Sequence, residues 1–167
     1  NRLERFEFKK RELKEERKFL IPVCYEPPHT LDIQSIARRY QATTSEIVDW
    51  HCAQELMLYC MGFLPGFLYL GKLEKMEGHR LNIPRKLVPT RSVGIAGIQT
   101  GIYPMDSPGG WEILGRCPIP IFYPEEAHPF PFVPGNRIQF RSIDIKEYES
   151  LNQQEWTVDE LKKCCMV

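Results

Sequence analysis

The chain has no net charge to speak of: 22 lysines and arginines face 22 aspartates and glutamates over 167 residues. No global field gathers nucleic acid or anionic lipid, so neither is expected as a partner. It has no apolar run near the ~20 residues that a helix needs to cross a bilayer, and no signal peptide pattern. It lacks a Gly-x-Ser-x-Gly elbow around Ser92, Ser107 or Ser142, and no histidine falls between His79 and His128. These two absences argue against a hydrolytic triad. The four histidines (His29, His51, His79, His128) have no metal-ligand spacing to one another or to cysteine, so no metal is expected. A Walker A pattern is missing too.

Cysteine is present, but without a framework. The six residues at 24, 52, 60, 117, 164 and 165 show no regular spacing, which favours free, mostly buried thiols and a cytoplasmic location over a disulfide scaffold. Cys52 and Cys60 are the pair that neighbouring elements can bring together. The ending Lys162-Lys163-Cys164-Cys165-Met166-Val167 fits a prenylation box poorly, because the first aliphatic position is Cys and the last residue is Val.

What the chain does have is concentrated between Gly62 and Arg116. This stretch is dense in glycine, proline and aromatics, with six glycines between Ser92 and Gly115 (Gly94, Gly97, Gly101, Gly109, Gly110, Gly115). Glycine inside a strand pattern marks a bulge, a tight bend or the close approach of another backbone or a ligand. Few polar groups interrupt the stretch: Arg85, Arg91, Gln99, Thr100, Asp106, Ser107 and Arg116. The composition suits a preformed groove in which fixed backbone groups and a few side chains orient a small polar ligand or a partner's loop.

Each candidate has a plainer alternative. Arg85 and Arg116 have the planar fork that binds a carboxylate or phosphate through two bonds, or they pair with surface carboxylates. Gln99 both donates and accepts, which suits an amide such as a lactam, or it satisfies the backbone at a turn. Asp106 is the one catalytic candidate; it needs burial or a charged partner to shift its pKa. Asp106-Ser107-Pro108-Gly109-Gly110 is otherwise a turn. Phe63, Phe67, Tyr69, Tyr103 and Trp111 serve either the core or a groove wall, and Trp111 follows two glycines as a groove residue would.

The first eighteen residues read as a charged helix with a thin stripe of Leu3, Phe6 and Leu13. A strand is expected over Phe19 to Tyr25. Two short helices follow, one over Leu31 to Tyr40 capped by Thr30, the other over Ser45 to Ala53 capped by Thr43 or Thr44. Glu46 and Asp49 on the second helix disfavour a DNA-reading helix-turn-helix. From Glu55 to Ser142 short strands alternate with turns: LMLYCMGF, the SVGIAG and TGIYP pair, WEILG, PIPIFY, and NRIQFRSI after Pro134-Gly135. Asp144 to Val167 reads as one or two helices. Many short strands with glycine and proline turns favour a closed or nearly closed β-barrel.

The segments Gly62-Phe63, Pro65-Gly66-Phe67, Tyr69-Leu70-Gly71, Ser92-Val93-Gly94-Ile95-Ala96-Gly97, Gln99-Thr100-Gly101-Ile102-Tyr103-Pro104 and Ser107-Pro108-Gly109-Gly110-Trp111 resemble the allophanate hydrolase subunit 1 family, over roughly residues 19 to 150. That family includes the B subunit of bacterial 5-oxoprolinase and the kinase inhibitor KipI. The resemblance implies a mainly β, cyclophilin-like barrel over 19–143, with a short helical insertion and a helical tail over 144–167. Residues 1–18 would then be the remnant of, or the linker from, an N-terminal domain. It implies a subunit that acts with a paired C-type subunit and a third protein to open 5-oxoproline to glutamate, with ATP used by the assembled complex. The alternatives are an inhibitor of a sensor histidine kinase and half of a urea-carboxylase-type carboxyltransferase module. On the enzyme reading Arg85 and Gln99 hold the ligand, Tyr103 and Trp111 pack beside it, and Gly109 and Gly110 let backbone approach. On the binding reading Phe63, Phe67 and Trp111 anchor a partner. Two positions depart from the family pattern: Arg91 stands where glycine is common, and Ile98 precedes Gln99 where glycine is common. Both are expected to add bulk beside the groove.

Overall fold

A computed structural model describes residues 17–167. The expected charged helix over 1–18 lies outside the described residues except for Arg17 and Lys18, and Lys18 already opens the first strand. The element order is β1 (Lys18–Cys24), α1 (Ile33–Tyr40), α2 (Thr44–Cys52), β2 (Glu55–Met61), β3 (Leu68–Gly71), β4 (Arg80–Val88), β5 (Ser92–Ala96), β6 (Gln99–Ile102), β7 (Ser107–Arg116), β8 (Arg137–Ile143), α3 (Ile145–Asn152) and α4 (Val158–Cys165). The protein is mainly β with a few short helices.

The eight strands form one sheet in the order β1-β8-β2-β3-β6-β5-β7-β4. β1 lies parallel to β8, from Lys18 opposite Arg137 to Cys24 opposite Ile143. Cys24 also pairs with Arg116 of β7, so β1 meets strands from both ends of the order. β4 pairs only with β7, at three positions separated by register shifts, and forms the outer edge.

Strands β3, β6, β5 and β7 bury both faces, and the pleat sorts their side chains into two cores. Successive residues point to opposite sides of a strand. Leu68, Leu70, Val93, Ile95, Ile102 and Leu114 therefore enter the main core with Phe19, Ile21, Leu56, Ile138 and Phe140. Their neighbours Phe67, Tyr103, Trp111 and Ile113, with Tyr69 partly buried, build a second, smaller cluster on the other side. Helices α1 and α2 add Ile33, Ile36, Ala37 and Ile47 to the main core, and α4 adds Val158, Leu161 and Cys165.

Several local expectations need correction. The second helix is capped by Thr43 through a full capping box with Glu46, but the first starts at Ile33, not Leu31, and Asp32, not Thr30, stands at its cap position. Asp32 makes no side-chain cap bond. Its carboxylate instead crosses to the sheet, accepting from the Ile113 N–H at 2.6 Å and the Arg85 guanidinium at 2.6 Å. PIPIFY is not a strand: Pro118 and Pro120 have no N–H for a ladder, while Ile119 and Ile121 still anchor the irregular segment in the main core. β3 and β4 are strands that the sequence pattern does not announce. LYLG shows no alternation because both its faces are covered, and β4 carries Pro84 within an irregular pairing.

Candidate functional site

The second cluster is the floor of a pocket. Phe67, 1% exposed, sits at its centre. Tyr103, Trp111 and Tyr69 pack around its ring at centroid distances of 5.0, 5.3 and 4.7 Å, the first two nearly perpendicular to it. Edge-to-face packing of this kind fixes ring orientation, which makes the surface preformed rather than adaptable. Phe63, 64% exposed at a left-handed φ of 66°, forms the lip and packs on Phe67 at 5.8 Å. Above this floor lies a cavity of about 390 Å³ between β7 and the edge strand β4.

Two adjacent glycines shape the cavity differently. A Cβ on Gly109 would meet the Tyr103 hydroxyl at 2.5 Å, so the missing side chain is what lets the tyrosine lie against β7. A Cβ on Gly110 would find only Pro84 and the Leu81 carbonyl at 3.7–3.8 Å; the absence there opens space between β7 and β4.

Charge at the site comes from Arg80. It stands directly opposite Trp111 in the β4–β7 pairing, so both side chains rise from the same face of the ribbon, and both line the cavity. Arg80 is exposed, and its guanidinium has no hydrogen bond or ion pair among the described residues. Two carboxylates of the neighbouring β7 region are already engaged. Glu112, pointing away from Trp111 by alternation, takes two bonds from Arg39 at 2.8 and 2.7 Å and one from the His79 N–H at 2.7 Å. Asp106 accepts from the Thr90 N–H at 2.6 Å. Burial pushes the Tyr103 phenol up from its ordinary pKa, partly opposed by the backbone of Trp111 and by the charges of Arg80 and Arg85. The Ser107 hydroxyl is buried beside the cavity with no partner among the described residues.

Of the residues anticipated from the sequence, Phe63, Phe67, Tyr103, Gly109, Gly110 and Trp111 converge on this one cavity. Arg85 and Gln99 do not line it. The Arg85 guanidinium is bound to Asp32 and, at 3.3 Å, to the Trp111 carbonyl; Gln99 closes the β5–β6 hairpin opposite Ala96. Asp106 and Arg116 lie outside as well, Arg116 donating to the Thr90 carbonyl at 2.8 Å. Neither Arg91 nor Ile98 adds bulk to the cavity. Arg91 takes a left-handed φ of 63° at the β4–β5 turn and donates to the Pro118 carbonyl. Ile98 sits at a hairpin turn after Gly97, whose φ of 52° supplies the turn. Sequence reasoning missed Arg80, because its place beside Trp111 depends on the irregular β4 register.

A second polar group lies deep in the main core. Thr100 Oγ1 donates to the Gly94 carbonyl at 3.0 Å, so its oxygen accepts from His51 Nε2–H at 2.9 Å. Nδ1 is then the acceptor of the Tyr25 hydroxyl at 2.7 Å, and the Cys52 thiol donates to that tyrosine at 3.6 Å. This order assigns a neutral imidazole with the proton on Nε2. Burial alone lowers the His51 pKa to about 3, and Phe140 stacks on its ring at 4.5 Å.

Among the described residues no cluster of histidine, cysteine and carboxylate suits a metal, and no helix is long and apolar enough to cross a membrane. The family profile described as carboxyltransferase domain, subdomain C and D, matches residues 1–132. The chain is 38% identical over 135 residues to the B subunit of 5-oxoprolinase from Bacillus subtilis, covering 80% of this chain and 56% of that protein. It is 37% identical over 141 residues to the B subunit of 5-oxoprolinase from Escherichia coli O157:H7, covering 83% and 65%. The chain thus spans between about half and two thirds of the length of these relatives. A solved structure of a conserved uncharacterized protein from Pyrococcus horikoshii superposes with a TM-score of 0.75 at 40% identity, over 78% of this chain and 61% of that one. Urea carboxylase from Kluyveromyces lactis shares the fold at a TM-score of 0.68 and 20% identity, over 81% of this chain and 14% of that one.

Proposed function

The chain belongs to the carboxyltransferase domain, subdomain C and D, family, and from that premise we propose that it is the B-type part of a multi-subunit 5-oxoprolinase that opens 5-oxoproline to glutamate. The observation that carries the reading is the preformed aromatic cavity, built from the same Gly-Phe, Pro-Gly-Phe and Pro-Gly-Gly-Trp segments that mark the family. A five-membered lactam is flat, small enough for about 390 Å³, and packs well on the faces of Tyr103 and Trp111.

The cavity binds and orients; it does not cleave. Its lining includes no carboxylate, imidazole or thiol among the described residues, and the reading places the groups that attack the lactam outside this cavity. A single cation and an aromatic floor do not fit a triphosphate, so ATP belongs to another part of the assembly and no step here runs through it. Arg85 acts at one remove by tying β4, the outer wall, to α1 through Asp32. Gln99 serves the β5–β6 hairpin beside the cavity strands. The pairing of β1 with β7 as well as β8 supports a closed, cyclophilin-like barrel over 19–143 with the helical tail of 144–167 outside it. A cytoplasmic setting fits this reading, in which the assembly uses ATP and the thiols stay unpaired.

A second reading rests on Phe63, the large apolar residue exposed at the lip: the same cavity receives a side chain of a partner such as a sensor kinase, anchored by Phe63, Phe67 and Trp111. Reconstitution separates the two. The full-length protein is co-purified with its C-type and third subunits and assayed for ATP-dependent glutamate release. Trp111→Ala is expected to cut turnover about tenfold, the equivalent of ~1.4 kcal/mol, while the complex stays assembled on gel filtration. An assembled complex that opens no 5-oxoproline refutes the enzyme reading; a fully active Trp111→Ala leaves that reading standing and removes the cavity's part in it.

A further inference from the structure

The cavity carries one positive charge and no negative one, and this decides what it binds. Arg80 is held at the rim by its register opposite Trp111. Three acidic groups on neighbouring elements are occupied: Asp32 by Arg85, Glu112 by Arg39, Asp106 by the Thr90 N–H. Arg85, the other cation of β4, is neutralised by Asp32 and turned out of the cavity. A guanidinium beside an aromatic floor, facing open space, is the arrangement that takes a carboxylate through two parallel hydrogen bonds while a flat apolar ring stacks below.

We propose that Arg80 is the specificity-determining residue of this cavity, recognising the carboxylate of a small cyclic monocarboxylate whose ring lies on Tyr103 and Trp111. The assignment rests on the 5-oxoprolinase reading for the identity of the ligand, but its chemistry, a carboxylate on a small flat ring, is independent of that identity. Arg85 is a positioning residue: its bonds to Asp32 and to the Trp111 carbonyl keep β4 against β7, and so keep Arg80 over the ring. Gly110 gives the ring its room.

The test is a calorimetric titration of the full chain, alone and in its reconstituted complex, with 5-oxoproline, with 2-pyrrolidinone (the same lactam without the carboxylate) and with benzoate. Wild type, Arg80→Met and Lys86→Met are compared, the last removing another exposed β4 charge outside the cavity lining. Arg80→Met is expected to weaken 5-oxoproline about tenfold, the loss of a charge-assisted contact worth ~1.4 kcal/mol, and to leave 2-pyrrolidinone unchanged. Lys86→Met is expected to change neither. If 5-oxoproline binds equally well to Arg80→Met, or if Lys86→Met weakens it as much, the assignment of Arg80 falls while the enzyme reading stands. If benzoate binds with Arg80 dependence and 5-oxoproline does not bind, the carboxylate site stands and the enzyme reading falls. If no carboxylate binds either preparation, the assignment falls. Arg80 is exposed, so its replacement leaves the fold intact, and a melting curve for each variant checks this.

Discussion

Replacing His51 by glutamine tests the buried polar chain in the main core, and the size of the effect follows from its pKa. In the folded protein the imidazole is neutral, with its pKa lowered to about 3 by burial. In the unfolded chain it returns to about 6.5. Between these values the unfolded state binds a proton that the folded state does not, so stability falls as pH drops below about 6.5 and levels off below the folded value. At pH 5 the unfolded pKa lies about 1.5 units above the pH, and with 1.36 kcal/mol per unit the loss is about 2 kcal/mol relative to pH 7.5. Glutamine keeps a donor for Thr100 and an acceptor for Tyr25 but does not titrate. His51→Gln is therefore expected to be less stable than wild type at pH 7.5, having lost the stacking on Phe140. The gap should shrink or reverse by about 2 kcal/mol at pH 5. Urea unfolding at the two pH values, read by linear extrapolation, measures this. His29, whose pKa burial also lowers, titrates in both proteins and cancels in the difference. A gap between wild type and variant that is the same at pH 7.5 and pH 5 refutes the neutral, buried assignment.

Other substitutions probe the pocket and its supports. Gly109→Ala forces a Cβ onto the Tyr103 hydroxyl and is expected to destabilise by about 1–3 kcal/mol, seen as a lower urea midpoint. Gly110→Ala meets only ordinary contacts, so its melting temperature is expected to stay near wild type while ligand titration shows an obstructed cavity. Arg85→Ala leaves the mostly buried Asp32 carboxylate without its cation and is expected to cost about 1–2 kcal/mol after allowing for the part-exposed arginine. Amide exchange in β4 is expected to speed up in the same variant. Thr43→Ala removes the capping box of α2 and is expected to cost about 1 kcal/mol with ligand affinity unchanged.

The sequence by itself determined most of the strands in the middle of the chain, though not β3 or β4, the two helices before it, one or two helices after it and the aromatic and glycine identities of the pocket. These were legible because they are local: capping at Thr43, turns at Gly97 and Gly135, and spaced Gly-Phe and Gly-Gly-Trp segments each act over a few residues. The left-handed turn at Arg91 was not legible, since the residue pointed instead to added bulk beside the groove. Only the tertiary structure decided which polar groups serve the pocket. Arg85 and Gln99 look as suitable as Arg80 in one dimension. The pairing of β4 with β7 places Arg80 beside Trp111, and the reach of Asp32 across from the start of α1 takes Arg85 out of the cavity. Strand β3 was hidden for a related reason: with a core on each face its residues are apolar at every position, and the period of two that betrays a strand disappears. A side chain's neighbours across a sheet are set by register, and register is a property of the paired strands that neither strand's sequence contains alone.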